Sequence, residues 1–146
     1  MITVSDLNGK EDNYVWWLNI MHDEMARLCT LPRKVREQLD FSLASLDVIE
    51  QYILDNYTLE EMKDKRNRFA RDLFARYIGE TIRKNMPERY WYFETENPQS
   101  PYYGIPLLMT LHAGGTPMTP TIWLMTMIEQ KQGEFLRTQV DPAKAA

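Results

Sequence analysis

Two side chains here have the chemistry of an acid–base pair: Glu80, in the run YIGET, and His112, ahead of the glycines in HAGGTP. A carboxylate and an imidazole can pass a proton when a fold brings them within hydrogen-bond reach of a substrate. The rest of the inventory is thin. His22 is followed by Asp23 and Glu24, but neighbours one and two residues on point away from each other on a helix. Neither H-x-x-x-H nor C-x-x-C occurs, so no spacing places two ligands on one metal ion. The lone cysteine, Cys29, follows His22 by seven residues, about 10 Å along a helix, too far for a nucleophile and its base. A buried structural cysteine is the expectation there. The segment from His112 to Pro117 is glycine-bearing and precedes a helical pattern, but it lacks the lysine and spacing of a phosphate loop. A plain turn is expected. No catalytic constellation, cofactor or metal is predicted, and the chain is not expected to be an enzyme.

Charge is the next signal. The chain carries a net −4, unevenly spread. Residues 1–62 hold 5 basic and 12 acidic side chains, net −7, and residues 63–89 hold 9 and 4, net +5. Within the second block, Lys63 to Arg76 has 6 basic and 2 acidic residues. An open basic face of this kind is what nucleic acid recognises. A polarised chain can also pair its own halves or steer a partner. The acidic total makes internal pairing or a solvated face the expectation, with a nucleic-acid-associated regulator using 63–76 as the alternative function.

These side chains must be positioned by elements. At 146 residues the chain is one domain by size, and it buries roughly 70% of its unfolded surface. Residues 1–10 and 141–146 are expected to be loosely ordered. Apolar residues recur at three and four from Asp12, a candidate N-cap, to Cys29, which predicts a helix. Pro32 opens a short one. Ser42 or Ser45 caps another, running to about Asn56. Thr58 and Glu61 form a T-x-x-E capping box for the longest helix, residues 59–85. Pro87 closes it. Tyr90–Phe93 and Ile105–Leu111 are predicted strands, the second at an edge because of Pro106. Thr119 caps a last helix from Pro120 to about Gln132, with Gly133 as its stop. Residues 135–140 are a short strand or packed tail. The fold class is α+β: about four helices packed on a small two- or three-stranded antiparallel sheet.

Gly79 is the anomaly in the long helix. It lies about 180° from Ala70 on the helical wheel, and glycine costs roughly 1 kcal/mol relative to alanine in a helix interior. A back face with Ala75, Gly79 and Ile82 predicts close packing by the Tyr90–Phe93 strand, and burial of this helix on both sides. Glu80 falls at the edge of the core arc. It is expected to anchor helix to hairpin, with Arg76 and Lys84 as helical neighbours and the Trp91 indole as a further donor. Trp123, Met118, Met125 and Met127, with Met109, exceed what one apolar stripe needs. They predict core, with a homodimer face as the functional counterpart.

Several of these segments together resemble a known group. LDFSLASLDVIEQYI, ARYIGETIRKNM, Trp91, Gly104-Ile105-Pro106 and Gly133-Glu134-Phe135-Leu136 resemble a small uncharacterised bacterial family with a Y-[LIV]-G-E helix followed by a strand tryptophan. The resemblance covers roughly residues 38–136. Tyr77, Gly79, Glu80 and Trp91 match its structural signature. Asn85-Met86-Pro87 stands where relatives tend to have a Gly-Gly turn. Some similar proteins occur in toxin–immunity settings, so the resemblance implies an intracellular interaction protein, an immunity protein that neutralises a toxin by binding it. It carries no catalytic motif to transfer. The N-terminus has no basic, then apolar, leader and the chain has no membrane-length apolar run, so the cytoplasm is expected, with a protein partner and no membrane.

Overall fold

A computed structural model describes residues 11–111 and 115–140. The expectations for residues 1–10, 141–146 and His112 lie outside these. Among the described residues there are eight α-helices and one two-stranded sheet. The class is mixed helix and sheet, with about twice the expected number of helices because long periodic segments break without losing their apolar face.

The first break is at Ile20. The segment from Asp12 to Cys29 becomes α1 (Glu11–Asn19), α2 (Met21–Met25) and a 3-10 turn, Ala26–Thr30. Asp12 lies inside α1 rather than capping it. After Pro32 comes α3 (Arg33–Arg36), then α4 (Ser45–Asn56). Neither expected serine is the N-cap of α4, which is Ala44 with no side-chain cap bond; Ser42 instead closes a turn just before the helix, its hydroxyl and carbonyl accepting from the Ser45 N–H at 3.1 and 3.0 Å. The capping box forms as expected, with Thr58 and Glu61 exchanging both bonds at the start of α5 (Leu59–Lys63).

The expected helix 59–85 breaks at Asp64. The Asp64 carboxylate accepts from the Arg66 backbone N–H at 2.8 Å and from its guanidinium. This local turn competes with the helical ladder, and ψ at Asp64 opens to 136°. The same bonds from Arg66 hold the Asp64 carboxyl well down, to about 2. A 3-10 turn, Lys65–Asn67, then leads into α6 (Arg68–Asn85).

Helix α6 is the centre of the molecule. Every residue from Asp72 to Gly79 is buried, as are Thr81 and Ile82, so α6 is covered on both sides. On one flank lie β1 (Arg89–Phe93) and β2 (Pro106–Thr110), antiparallel with Trp91 opposite Leu108. Pro106 opens β2, where its missing N–H does least harm. Met118 exchanges two backbone bonds with Leu108, a single bridge in place of a third strand.

On the other side are α4 and α7 (Pro120–Gln130). Lys131, at φ 54°, ends α7 two residues before Gly133. Leu124, Met127 and Ile128 enter the core, while Trp123 and Met125 are half-buried and Ile122 is 38% exposed. Residues Phe135–Val140 form α8, not a strand. No helix among the described residues is long and apolar enough to cross a membrane.

Candidate functional site

The four signature candidates all sit on α6 or on the strand packed against it. A Cβ built on Gly79 would overlap Cη2 and Cζ2 of Trp91. Glycine is thus required by close approach of the strand, and the indole fills the volume an alanine methyl would need. One residue on, Glu80 Oε2 accepts from Trp91 Nε1 at 2.8 Å. Its cationic partner is Arg83, at 3.3 Å, rather than Arg76 or Lys84. Tyr77 faces the opposite flank. Its hydroxyl lies 2.6 Å from Ser45 Oγ and accepts from the Phe41 N–H at 3.1 Å.

Arg76 has gone elsewhere. It is fully buried, and its Nε donates to Asp72 Oδ2 at 2.7 Å. Trp17 Nε1 donates to the other oxygen of Asp72 at 2.9 Å, and the Trp17 carbonyl accepts from Arg76 Nη1 at 2.9 Å. The guanidinium lies 3.9 Å from the Trp17 ring centroid. A buried charge stays tolerable when paired and hydrogen-bonded in this way, and the indole face adds cation–π attraction.

This placement changes the reading of the basic segment. Of its cations, Arg76 is in the core, Arg71 donates to the Met62 carbonyl at 2.6 Å, and Arg66 pairs with Asp64. Lys63, Lys65 and Arg68 remain exposed. Among the described residues, Arg66, Arg76 and Arg83 form their ion pairs locally, with Asp64, Asp72 and Glu80.

Among the described residues, two surface regions are concave. The first is a groove of about 400 Å³ between α3 and α4. Val35, Val48 and Tyr52 line its apolar part; Gln38, Asp47, Gln51 and Asp55 supply polar groups. At Gln51 and Asp55 it adjoins a second groove of about 430 Å³, where Leu54, Tyr57 and Glu61 face the turn Lys131–Gly133. Burial pushes the Tyr57 phenol up. Asp47 is itself tied to Arg137 of α8.

The second region is a cavity of about 350 Å³ at the meeting of α2, its 3-10 extension and the end of α6. His22, Glu80 and Lys84 share it with Met25, Leu28 and Phe41. Glu80 therefore does line a cavity, and the histidine that lines it too is His22. Cys29 is exposed, not the buried structural cysteine expected; the chain has passed from α- to 3-10-helical geometry before reaching it, which shifts the face on which it falls. Among the described residues no three His, Cys, Asp or Glu side chains converge as a metal requires.

Sequence reasoning missed Glu50. It is 1% exposed on α4, and its carboxylate accepts from the Phe135 and Leu136 N–H groups at 3.0 and 2.8 Å. A side chain 85 residues away thus caps α8. Burial raises its pKa, while the two amide bonds oppose the rise. Nothing local to residues 135–140 signals this; a glutamate on the apolar stripe of α4 was the one available hint.

Compared with protein-family models, curated proteins and solved structures, the chain matches none of them.

Proposed function

We propose that this protein acts by binding another protein, and that the α3–α4 groove is where it binds. The groove supports the reading by its composition. An apolar floor of Val35, Val48 and Tyr52 with polar groups beside it is the arrangement of an interface core with its rim. Asp55 and the 1–62 segment's net −7 favour a partner with lysine or arginine next to an apolar anchor, because complementary charge speeds encounter and selects partners. The resemblance to immunity-type proteins supplies the biological form of this reading: a toxin held inactive by occupation of its surface.

The test uses the intact chain as bait, beside Val48→Lys and Asp55→Lys. Both changes lie at the groove and leave the core residues of α4 in place. Capture of one partner by the wild type, lost in both variants and weakened by salt, is the expected result. Equal capture by all three, or no partner from the native host at any expression level, overturns the reading. Growth rescue on co-expression with a toxin encoded beside this gene then separates immunity from other forms of binding.

A further inference from the structure

The cavity between α2 and the end of α6 shares no lining residue with the α4 grooves. Its volume, about 350 Å³, lies in the range of small-molecule sites. Met25, Leu28 and the Phe41 ring form an apolar wall, and His22, Glu80 and Lys84 supply the polar groups facing it.

Phe41 is held there against its own preference. Its φ is 62°, the left-handed region that a bulky side chain rarely enters. Such a conformation persists only where the surroundings over-determine it. Three contacts do so: the Phe41 N–H donates to the Tyr77 hydroxyl, its carbonyl accepts from Asn85 Nδ2 at 2.8 Å, and its ring stacks on Tyr77 with centroids 5.0 Å apart. The ring is therefore a fixed wall of the cavity.

The charges are unequal. Glu80 is already matched by Arg83 and by the Trp91 indole. Lys84 is exposed, and among the described residues no carboxylate lies within ion-pair distance of it. Its ammonium sits 4.8 Å from the Phe41 ring centroid, at the edge of the apolar wall, and the exposed His22 imidazole is on the same cavity. We propose that this cavity binds a small organic monoanion with a flat apolar body, its carboxylate at Lys84 and His22 and its body against Phe41, Met25 and Leu28. An inorganic anion would leave the apolar wall unused, and a neutral ring would leave Lys84 unmatched.

The test follows amide resonances of the full chain by NMR during titration with phenylacetate, phenylacetamide and inorganic phosphate. Phenylacetate is expected to give saturable shifts around His22, Leu28, Phe41 and Lys84, with the amide weaker by about tenfold or more. Lys84→Gln, a change at an exposed residue whose spectrum reports its own folding, is expected to bring phenylacetate to the level of the amide and leave the amide unaffected. Equal binding of acid and amide, phosphate binding as well as phenylacetate, shifts that map elsewhere or never saturate, or an unchanged Lys84→Gln variant would each overturn the proposal.

Discussion

Gly79 and Trp91 form one unit in which an absent methyl makes room for an indole. Helix propensity alone says that Gly79→Ala stabilises by about 1 kcal/mol. Contact with Trp91 reverses the sign. We expect a loss of about 1–3 kcal/mol from overpacking, measured by urea unfolding, with much of it restored when Trp91→Leu removes the ring. The Glu80–Trp91 bond is a separate contribution; Glu80→Gln keeps an acceptor for the indole and removes the Arg83 ion pair, so it separates the charge from the hydrogen bond. Arg76 belongs to this scale too. Arg76→Met leaves Asp72 charged and uncompensated in the core, and the expected loss is about 3–5 kcal/mol. Adding Asp72→Leu is expected to recover most of it, because removing both charges also removes their desolvation. A double variant no more stable than Arg76→Met alone would show that the pair's bonds to Trp17 dominate.

At the scale of elements, α8 depends on α4. Six residues are too few to hold a helix in water, and the Glu50 carboxylate supplies two of the partners its N-terminus needs. Glu50→Gln keeps the shape but cannot accept at both positions, so we expect a loss of about 1–3 kcal/mol at neutral pH. The pH dependence has a definite sign. Burial raises the Glu50 pKa in the folded state, so between the unfolded value and that raised value the native state holds the extra proton. Its contribution is fully present below the unfolded pKa and declines as pH rises through the folded one. Chemical denaturation across this window is expected to show a shallower decline for Glu50→Gln than for the wild type.

For the whole molecule, the buried run of α6 from Asp72 to Gly79 joins β1, α4 and α7 into one core, to which the six-residue α8 adds Leu136 and Val140. Amides of α6 are therefore expected to exchange with solvent only on global unfolding, and those of α8 through local opening. Glu50→Gln is expected to speed exchange at residues 135–140 by more than it speeds α6, as hydrogen-exchange mass spectrometry can resolve. Val48 and Phe41 pack against that core, whereas Asp55 and Lys84 are exposed, so it is variants at the two exposed positions that report on binding with least effect on folding.

The local features were legible in the sequence because their causes are local. The Thr58–Glu61 box, Pro32 before a short helix, Pro87 after a long one, and two strands beginning near Tyr90 and Pro106 each follow from a few neighbouring residues. Gly79 was legible for a different reason: a glycine opposite the main stripe makes sense only if something packs there. The number of helices was not legible, because apolar periodicity continues through the breaks at Ile20 and Asp64. Nor were the fate of Arg76, the helix at 135–140, or the cavity wall at Phe41. Each depends on a partner far along the chain: Trp17, Glu50 and Tyr77. A buried guanidinium, a capped six-residue helix and a left-handed phenylalanine are all unfavourable by themselves, and only tertiary contacts make them the lowest-energy choice.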